Sequence, residues 1–480
     1  MREGSITARA PLVTRPRVAL RRLTLPGAWA DRAAAVRGFV LFALCVQVGL
    51  TVGLELMLAA RRTGLAPLLA RGPVPSWLIG PLHGIAPPVP LHRWALDGLF
   101  AALLVGMIVC YLIALAGARH LSARTVVGAI LIMHAAILLA PPVILTDVFN
   151  YIDTARLGAV HGLNPYTHVA ADVPNDPVYQ WVTWHHMHTP YGPLWTLGSY
   201  LLVPLGIAGS YWGLKTVVVL ASLGCVWLLW RCAQALGRPA VPAIILVGLN
   251  PLLLVYGVGG FHNDFFMVLA VLAATLLVVR GRSGLGGAMA VAAPLVKLSA
   301  GVFTPFLLLG ARRRGAALAG AALCGAILVA TTIAVFGTRY PGVKAQVSVI
   351  VGPYSIPSEL GLIFGYGINA TTRHVIAALL IVTVVALLVR TWRGADWITT
   401  AGWAGLAFAV AQLQPMPWYL AWPLPFAALS RSRPLRVATL LFGLTLLINC
   451  SPQQNLFLTR DLGLPGIGPD AGRATRALLW

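Results

Sequence analysis

Long apolar runs alternate with short polar interruptions along the whole chain. Runs of spanning length lie near 38–60, 94–117, 126–145, 213–231, 240–258, 262–279, 315–336, 370–390, 397–412 and 436–449. A hydrocarbon core about 30 Å thick needs about 20 apolar residues rising 1.5 Å each, so each run predicts a membrane helix. Lipid offers no partner to an open backbone, which leaves the helix as the default. Segments 191–206 and 418–429 are shorter and rich in proline, and they predict broken or partial spans. No fixed-period repeat and no low-complexity linker divides the chain. The pattern predicts an all-α polytopic membrane protein of about 11–13 membrane segments, some of them short or re-entrant.

The polar interruptions add an orientation. Basic clusters fall at Arg119 and Arg124, Arg231 and Arg238, Arg280 and Arg282, Arg312 to Arg314, Arg390 and Arg393, and Arg431 to Arg436. Lys and Arg accumulate on the cytoplasmic side, so each cluster is expected there. Eight arginines precede Gly38, and no small-residue cleavage site follows the first run, which predicts an uncleaved first span. The expected organisation is a basic cytoplasmic segment 1–37, a single membrane domain 38–450 with a long outer loop 146–190, and a polar tail 451–480.

One stretch fails as a single span. "GLGGAMAVAAPLVKLSAGVFTPFLLLGARRR" has basic residues at both ends and should start and finish on one side. Folded at "KLSAG", each arm holds about 12 residues, or about 18 Å of helix, so a re-entrant hairpin is expected with Lys297 at its tip. An ammonium there needs an anion or water.

Composition supports the membrane reading. Hydrophobic residues make up 58% of the 480 and charged residues 10%, too few for a water-facing surface of that length. Net charge is +22, yet the basic residues sit between apolar runs, which marks topology and argues against nucleic acid as a partner. Six cysteines lie in or beside apolar segments without CxxC spacing, so neither a disulfide framework nor a zinc site is expected.

The scarce acids then sort to one side. Asp147, Asp153, Asp172, Asp176, Asp264 and Glu359 all fall in segments expected outside, beside aromatic and Pro-rich sequence. No "GxxxxGK[ST]" and no strand-linked "GxGxxG" is present, so activation by a bound nucleotide is not indicated. An outer-face transferase working on a preactivated polyprenyl phosphate sugar needs a carboxylate base, cations for the departing phosphate, aromatic and polar walls for sugars, and an apolar groove. All four residue types occur there.

The motifs "TDVFNYIDTARLGAVHGLNPYT", "TPYGPLW", "LNPLLLVYGVGGFHNDFFMVLAV", "APLVKLSAGVFTPFLLL" and "QPMPWYLAWPLPF" occur in that order over about 38–430. Together they resemble the polyprenol-phosphomannose-dependent alpha-1,6-mannosyltransferases of actinobacterial lipoglycan synthesis, integral membrane glycosyltransferases of the GT-C class. The resemblance implies a GT-C helical bundle, an outer-face catalytic loop with a catalytic Asp, and inverting transfer of mannose from polyprenyl phosphate to a glycan or glycolipid acceptor. It departs in the His-rich "WHHMHTPYGP" and in "HND", where Glu is expected as often as Asp264. Transfer of another sugar, or a polyprenol-lipid transporter or flippase, is the alternative.

Asp147 is the candidate base, expected to have a raised pKa at the lipid edge; the plainer reading is an N-cap. Lys297, His262 and Arg156 are candidates for the donor phosphate, the first because intramembrane charge is usually functional. His262, Asn263 and Asp264 open a span whose N-terminal amides favour an anion, or they merely cap it. Asp153 is a substrate-binding candidate or half of an i,i+3 pair with Arg156. Tyr166, in "NPY", presents itself to a sugar or closes a turn. Tyr191, Trp418 and Tyr419 are substrate-wall candidates, although aromatics are also ordinary interface anchors. His185, His186 and His188 lack a companion metal motif, and no metal ligand is assigned; a divalent cation bridging acids and phosphate stays open. Glu55 lies within the first run without a partner legible in the sequence.

Overall fold

The structure is a computed structural model that describes residues 27–60, 75–87, 93–143, 147–338, 355–364 and 368–450. The expected tail 451–480 and the side chain of Glu359 lie outside the described residues. All described elements are helical, and no strand occurs among them. The protein is an all-α polytopic membrane protein.

Helix α1 (Gly27–Ala60) packs against α2 (Arg93–Ala116) and α3 (Ala123–Leu139). Helix α1 begins eleven residues before the expected start at Gly38, because no helix breaker separates "GAWADRAAAVR" from the apolar run. Ser122 caps α3 by accepting from the Thr125 N–H. The amphipathic α4 (Asp147–Ala159) and the short α5 (Pro193–Tyr200, with proline in its first turn) lead into α6 (Gly206–Ala235).

The run expected as one span at 240–258 is broken. Helix α7 (Ala240–Gly248) stops before Asn250 and Pro251, and the Asn250 side chain accepts from the N–H groups of Leu252 and Leu253 to start a new turn. That turn widens into a π-helix at Leu253–Val258, a form common at functional sites. A tight turn follows, with Phe261 at φ 54, and α8 (Asp264–Val279) begins.

Parity is satisfied by a hairpin. Helices α9 (Ser283–Ala292) and α10 (Thr304–Gly310) fold back on each other around Lys297, whose backbone is extended. The Thr304 hydroxyl donates to the Ala290 carbonyl at 2.7 Å, and the Arg313 N–H reaches the Ser283 hydroxyl at 3.2 Å, so the hairpin's two ends meet. Its outer flank is α11 (Arg314–Phe336), which approaches α9 through glycine: a Cβ on Gly287 would meet the Ala317 carbonyl, and one on Gly320 the Gly284 carbonyl. Such small-residue contacts let membrane helices close without a hydrophobic drive between them.

Helices α12 (Ala370–Trp392), α13 (Trp397–Val410), α14 (Leu424–Leu429) and α15 (Arg433–Cys450) complete the bundle. Five helical stretches among the described residues are long and apolar enough to cross a membrane: 31–60, 98–116, 193–235, 314–336 and 370–392. Of the other expected spans, 240–258 is cut at Asn250–Pro251, 126–145, 262–279 and 397–412 form single helices of 17, 16 and 14 residues, and the segment 418–429, expected to be broken, carries the prolines at 423 and 425. Both α11 and α12 present bare apolar flanks, among them Leu323, Ile327, Leu379 and Val382.

Basic residues from several of the clusters gather at one end. Arg238 pairs with Asp396 at 3.8 Å, feels the charges of Arg431 and Arg436, and Arg314 lies over the Trp392 ring at 5.2 Å. Helix α8 runs from Asp264 to Arg280, about 24 Å away at 1.5 Å per residue, so its first turn lies at the opposite end.

Candidate active site

Several chain segments meet at the end remote from the arginines. Helix α4 contributes Asp147 in its first turn, where the helix dipole favours an acid. The 259–263 turn contributes His262 and Asn263, α8 opens with Asp264, the hairpin tip brings Lys297, and the 417–421 helical turn brings Trp418 and Tyr419. The 189–192 loop is tied to the tip by a hydrogen bond from the Gly192 N–H to the Val296 carbonyl at 3.0 Å. Only glycine fits at 192, because a Cβ there would strike the backbone of Leu295.

The charged groups alternate. His262 Nδ1 lies 3.2 Å from Asp147 Oδ2, and Asn150 donates to Asp147 Oδ1 at 3.4 Å. Lys297 Nζ donates to Asp264 Oδ2 at 2.7 Å, and the Trp422 indole N–H donates to Asp264 Oδ1 at 2.7 Å. With a proton on Nδ1, His262 donates to Asp147, and Nε2 is an acceptor on the neutral ring and a second donor on the charged one. The His262 ring stacks on Trp418 with centroids 3.4 Å apart and planes 14° apart. Lys297 lies 5.5 Å from the Tyr419 ring centre and 5.9 Å from that of Trp422. Tyr151 accepts from the Asn263 N–H at 3.2 Å, and its ring meets those of Tyr191 and Trp195 edge-on.

Exposure differs among these groups. Asp264 is fully buried, while the side chains of Asp147 and Lys297 are 14% and 18% exposed. His262 Nε2 and both polar atoms of the Asn263 side chain are buried without a hydrogen-bond partner. Buried polar atoms without partners are costly, and a ligand that supplies them removes that cost.

The expected raised pKa of Asp147 is overturned. Burial pushes it up, but the hydrogen bond and charge of His262, the charge of Lys297 and a hydrogen bond from Trp184 outweigh burial and hold it below the usual carboxylate value. Asp147 is therefore ionised at neutral pH and ready to accept a proton. The simple cap reading of "HND" also fails, since Asn263 makes no side-chain cap bond and Asp264 is committed to Lys297 and Trp422.

Three expected residues lie elsewhere. Arg156, expected on a phosphate, forks onto Asp176, with Nε 3.0 Å from both oxygens and a second nitrogen at 2.9 Å. His161 adds a contact to Asp176 at 2.7 Å. Asp153 belongs to this second cluster through the charges of Asp176, His161 and Arg156, so the i,i+3 pair with Arg156 is replaced by a pairing twenty residues away. Tyr166 is buried and its hydroxyl bonds the Tyr191 carbonyl at 3.0 Å and the Thr196 hydroxyl at 3.1 Å, so it anchors the loop and presents no face to a sugar. His185 bonds the Tyr179 carbonyl. Among the described residues no group of three or more His, Cys, Asp or Glu is placed to hold a metal ion.

Sequence reasoning missed Lys215, a fully buried lysine in α6 behind the site. It interrupts an apolar run just as Lys297 does, and the same rule on intramembrane charge flags it. Tyr151 and Asn150 lay inside a quoted motif, but only the fold shows which way they point.

With this geometry in hand, comparison with known proteins is decisive on kinship. The family described as Alpha-(1->6)-mannopyranosyltransferase, N-terminal domain, matches residues 46–313, and the MptB C-terminal domain matches 345–466. The chain belongs to the alpha-(1->6)-mannopyranosyltransferase family. Within that family, it is 28% identical over 329 residues to Alpha-(1->6)-mannopyranosyltransferase A of Mycobacterium tuberculosis, covering 61% of this chain and 63% of that protein. It is 33% identical over 189 residues to the enzyme of the same name from Corynebacterium glutamicum, covering 36% of each. Alpha-(1->6)-mannopyranosyltransferase B of Corynebacterium glutamicum is 24% identical over 344 residues, covering 60% of this chain and 56% of that protein. The aligned region thus spans less than two thirds of each of these relatives. No solved structure matches the chain. The family match includes Asp147, His262, Asn263, Asp264 and Lys297 within residues 46–313, and Trp418 and Tyr419 fall within 345–466.

Proposed function

We propose that this chain is a mannosyltransferase that moves mannose from polyprenyl phosphate to a hydroxyl of a glycan or glycolipid acceptor, forming an alpha-1,6 linkage in lipoglycan assembly. The observation that carries this reading is the presence, within electrostatic reach of each other, of two reachable, oppositely charged groups, Asp147 and Lys297, each contacting a buried partner. The relatives' names supply the sugar and the linkage. The donor class is supported by the resemblance and by the bare apolar flanks of α11 and α12 beside the hairpin, which suit an isoprenoid chain.

The chemistry is a direct displacement. Asp147 takes the proton of the acceptor hydroxyl as its oxygen attacks the anomeric carbon, and the bond from that carbon to the phosphate oxygen breaks with its electron pair on oxygen. Lys297 meets the charge growing on the phosphate, so the leaving group departs unprotonated. Configuration inverts, and an alpha product requires a beta-configured donor. Asn263 and His262 Nε2 are buried beside the pair, where sugar hydroxyls that both donate and accept satisfy them.

Polarity supports the location. Arginine clusters favour the cytoplasmic end, and a site about 24 Å away along α8 suits the extracytoplasmic side of the plasma membrane. The test is incubation of the purified protein with synthetic polyprenyl phosphate mannose, glucose and arabinose and short alpha-mannoside acceptors. Transfer from the mannose donor alone, with inversion, is expected. Absence of transfer from all three donors sinks the proposal and returns the field to a lipid carrier.

A further inference from the structure

Lys215 and Glu55 are fully buried charged side chains that the displacement does not use. Lys215 Nζ donates to the Ala140 carbonyl at 2.7 Å, at the end of α3 and seven residues before Asp147. The same ammonium lies 4.9 Å from the ring centre of Phe261, the residue before His262, and 4.1 Å from that of Trp212. It thus touches both strands of chain that deliver the Asp147–His262 pair. The two are also joined by the Val143 N–H, which donates to the Gly259 carbonyl at 3.0 Å. Phe261 sits at φ 54, a left-handed conformation that a bulky residue holds only when its surroundings impose it. A cation over the ring face and a buried ring on every side impose it here.

Glu55, on α1, lies within electrostatic reach of Lys215, and both its carboxylate oxygens are buried without a hydrogen-bond partner. It faces Lys215 without competing for the short contact with the Ala140 carbonyl. A helix cap for α3 needs neither Glu55 nor a lysine stacked on Phe261.

We propose that Lys215, faced by Glu55 from α1, is a positioning residue that clamps the 140–143 and 259–262 segments and so sets the contact between Asp147 and His262. This rests on the reading of Asp147 as the base. It makes the α1–α6 interior a determinant of turnover although neither residue touches substrate.

The experiment compares Lys215→Met and Lys215→Arg. One readout is the rate of disulfide formation between cysteines placed at 147 and 262 in each background, which needs no activity. The other is kcat and KM for mannosyl transfer with native residues at 147 and 262. In Lys215→Met, cross-linking should slow at least ~10-fold and kcat should fall on the order of 100-fold with donor KM within about 3-fold, the signature of a misplaced group. Lys215→Arg should restore both to within about 5-fold of the parent, since it keeps a donor and a cation over the ring. Parent-like cross-linking in Lys215→Met overturns the clamp, as does a rise in KM that matches the fall in kcat. Should the methionine variant not fold, slow cross-linking in folded Lys215→Arg overturns it and fast cross-linking upholds it. If the parent shows no transfer, the proposed function fails, while the cross-linking ratio still decides the clamp.

Discussion

Helix α4 carries an acidic cluster at each end, and the two are built on opposite plans. At its start, Asp147 and Asp264 alternate with His262 and Lys297, the two extreme members reach solvent, and Asn263 and His262 retain polar atoms without partners. At its far end, Asp176 is filled: Arg156 takes both oxygens, His161 one, and the Val178 N–H donates at 2.9 Å. Burial pushes the Asp176 carboxyl up, but the Arg156 and His161 hydrogen bonds, the Val178 N–H and the Arg156 charge hold it below the usual value. Unfilled hydrogen-bonding capacity beside reachable charge marks a place for a ligand, and filled capacity marks a brace. The presence of acids and bases alone does not separate the two.

The largest effect separating the clusters is expected at Asp147. Asp147→Asn keeps the side chain's size and removes its basicity, so transfer should fall on the order of 1,000-fold with little change in melting temperature. Near-normal turnover in that variant, measured with the mannose donor, would transfer the base role to another residue. Next comes Lys297. Lys297→Met should raise donor KM and lower kcat, together on the order of 100-fold in kcat/KM, and should cost about 3 kcal/mol by stranding the buried Asp264 carboxylate. Adding Asp264→Asn should recover much of the stability and none of the transfer. A double variant as unstable as the single one would show that the pair does not carry the loss.

Much of this arrangement was legible in the chain, and the misses have physical causes. The hairpin at Lys297 follows from counting, because basic residues at both ends and two arms of about 18 Å leave one topology. Nothing in the sequence announced the approach of Asp147 to "HND". Their contact depends on the π-helix at 253–258 and the left-handed Phe261, neither of which has a sequence pattern of its own. Arg156 was misread because local spacing favours Asp153, whereas the loop folds Asp176 onto its guanidinium. Lys215 went unremarked because one lysine scarcely dents a long apolar run, and its neighbours at Ala140 and Phe261 are remote in sequence.

The brace yields the next prediction. Asp176→Asn leaves the Arg156 guanidinium with a weaker acceptor in a largely buried setting and should cost about 2 kcal/mol. Turnover at a temperature where the variant is folded should stay within about 3-fold, because no substrate contact is assigned to that cluster. A kcat loss comparable with that of Lys297→Met, in protein of normal melting temperature, would erase the distinction between the two clusters.

The smallest effect concerns Asp153, and its sign is opposite to that of its neighbour. Burial and the charge of Asp176 push its carboxyl up, against the weaker pull of His161 and Arg156, to about 7. An unfolded aspartate titrates near 3.9, so between about pH 4 and 7 the folded protein holds a proton that the unfolded chain has lost. Asp153 therefore makes stability fall as pH rises through that window. Asp176, whose value is lowered, contributes stability above the unfolded value that is lost as pH drops below about 4, outside the same window. Asp153→Asn stays neutral throughout, so its melting temperature relative to the parent should climb by a few degrees between pH 5 and pH 8. Parallel melting curves for the two proteins over that range would mean that Asp153 ionises freely. The second cluster would then hold two charged carboxylates rather than one braced pair and a proton.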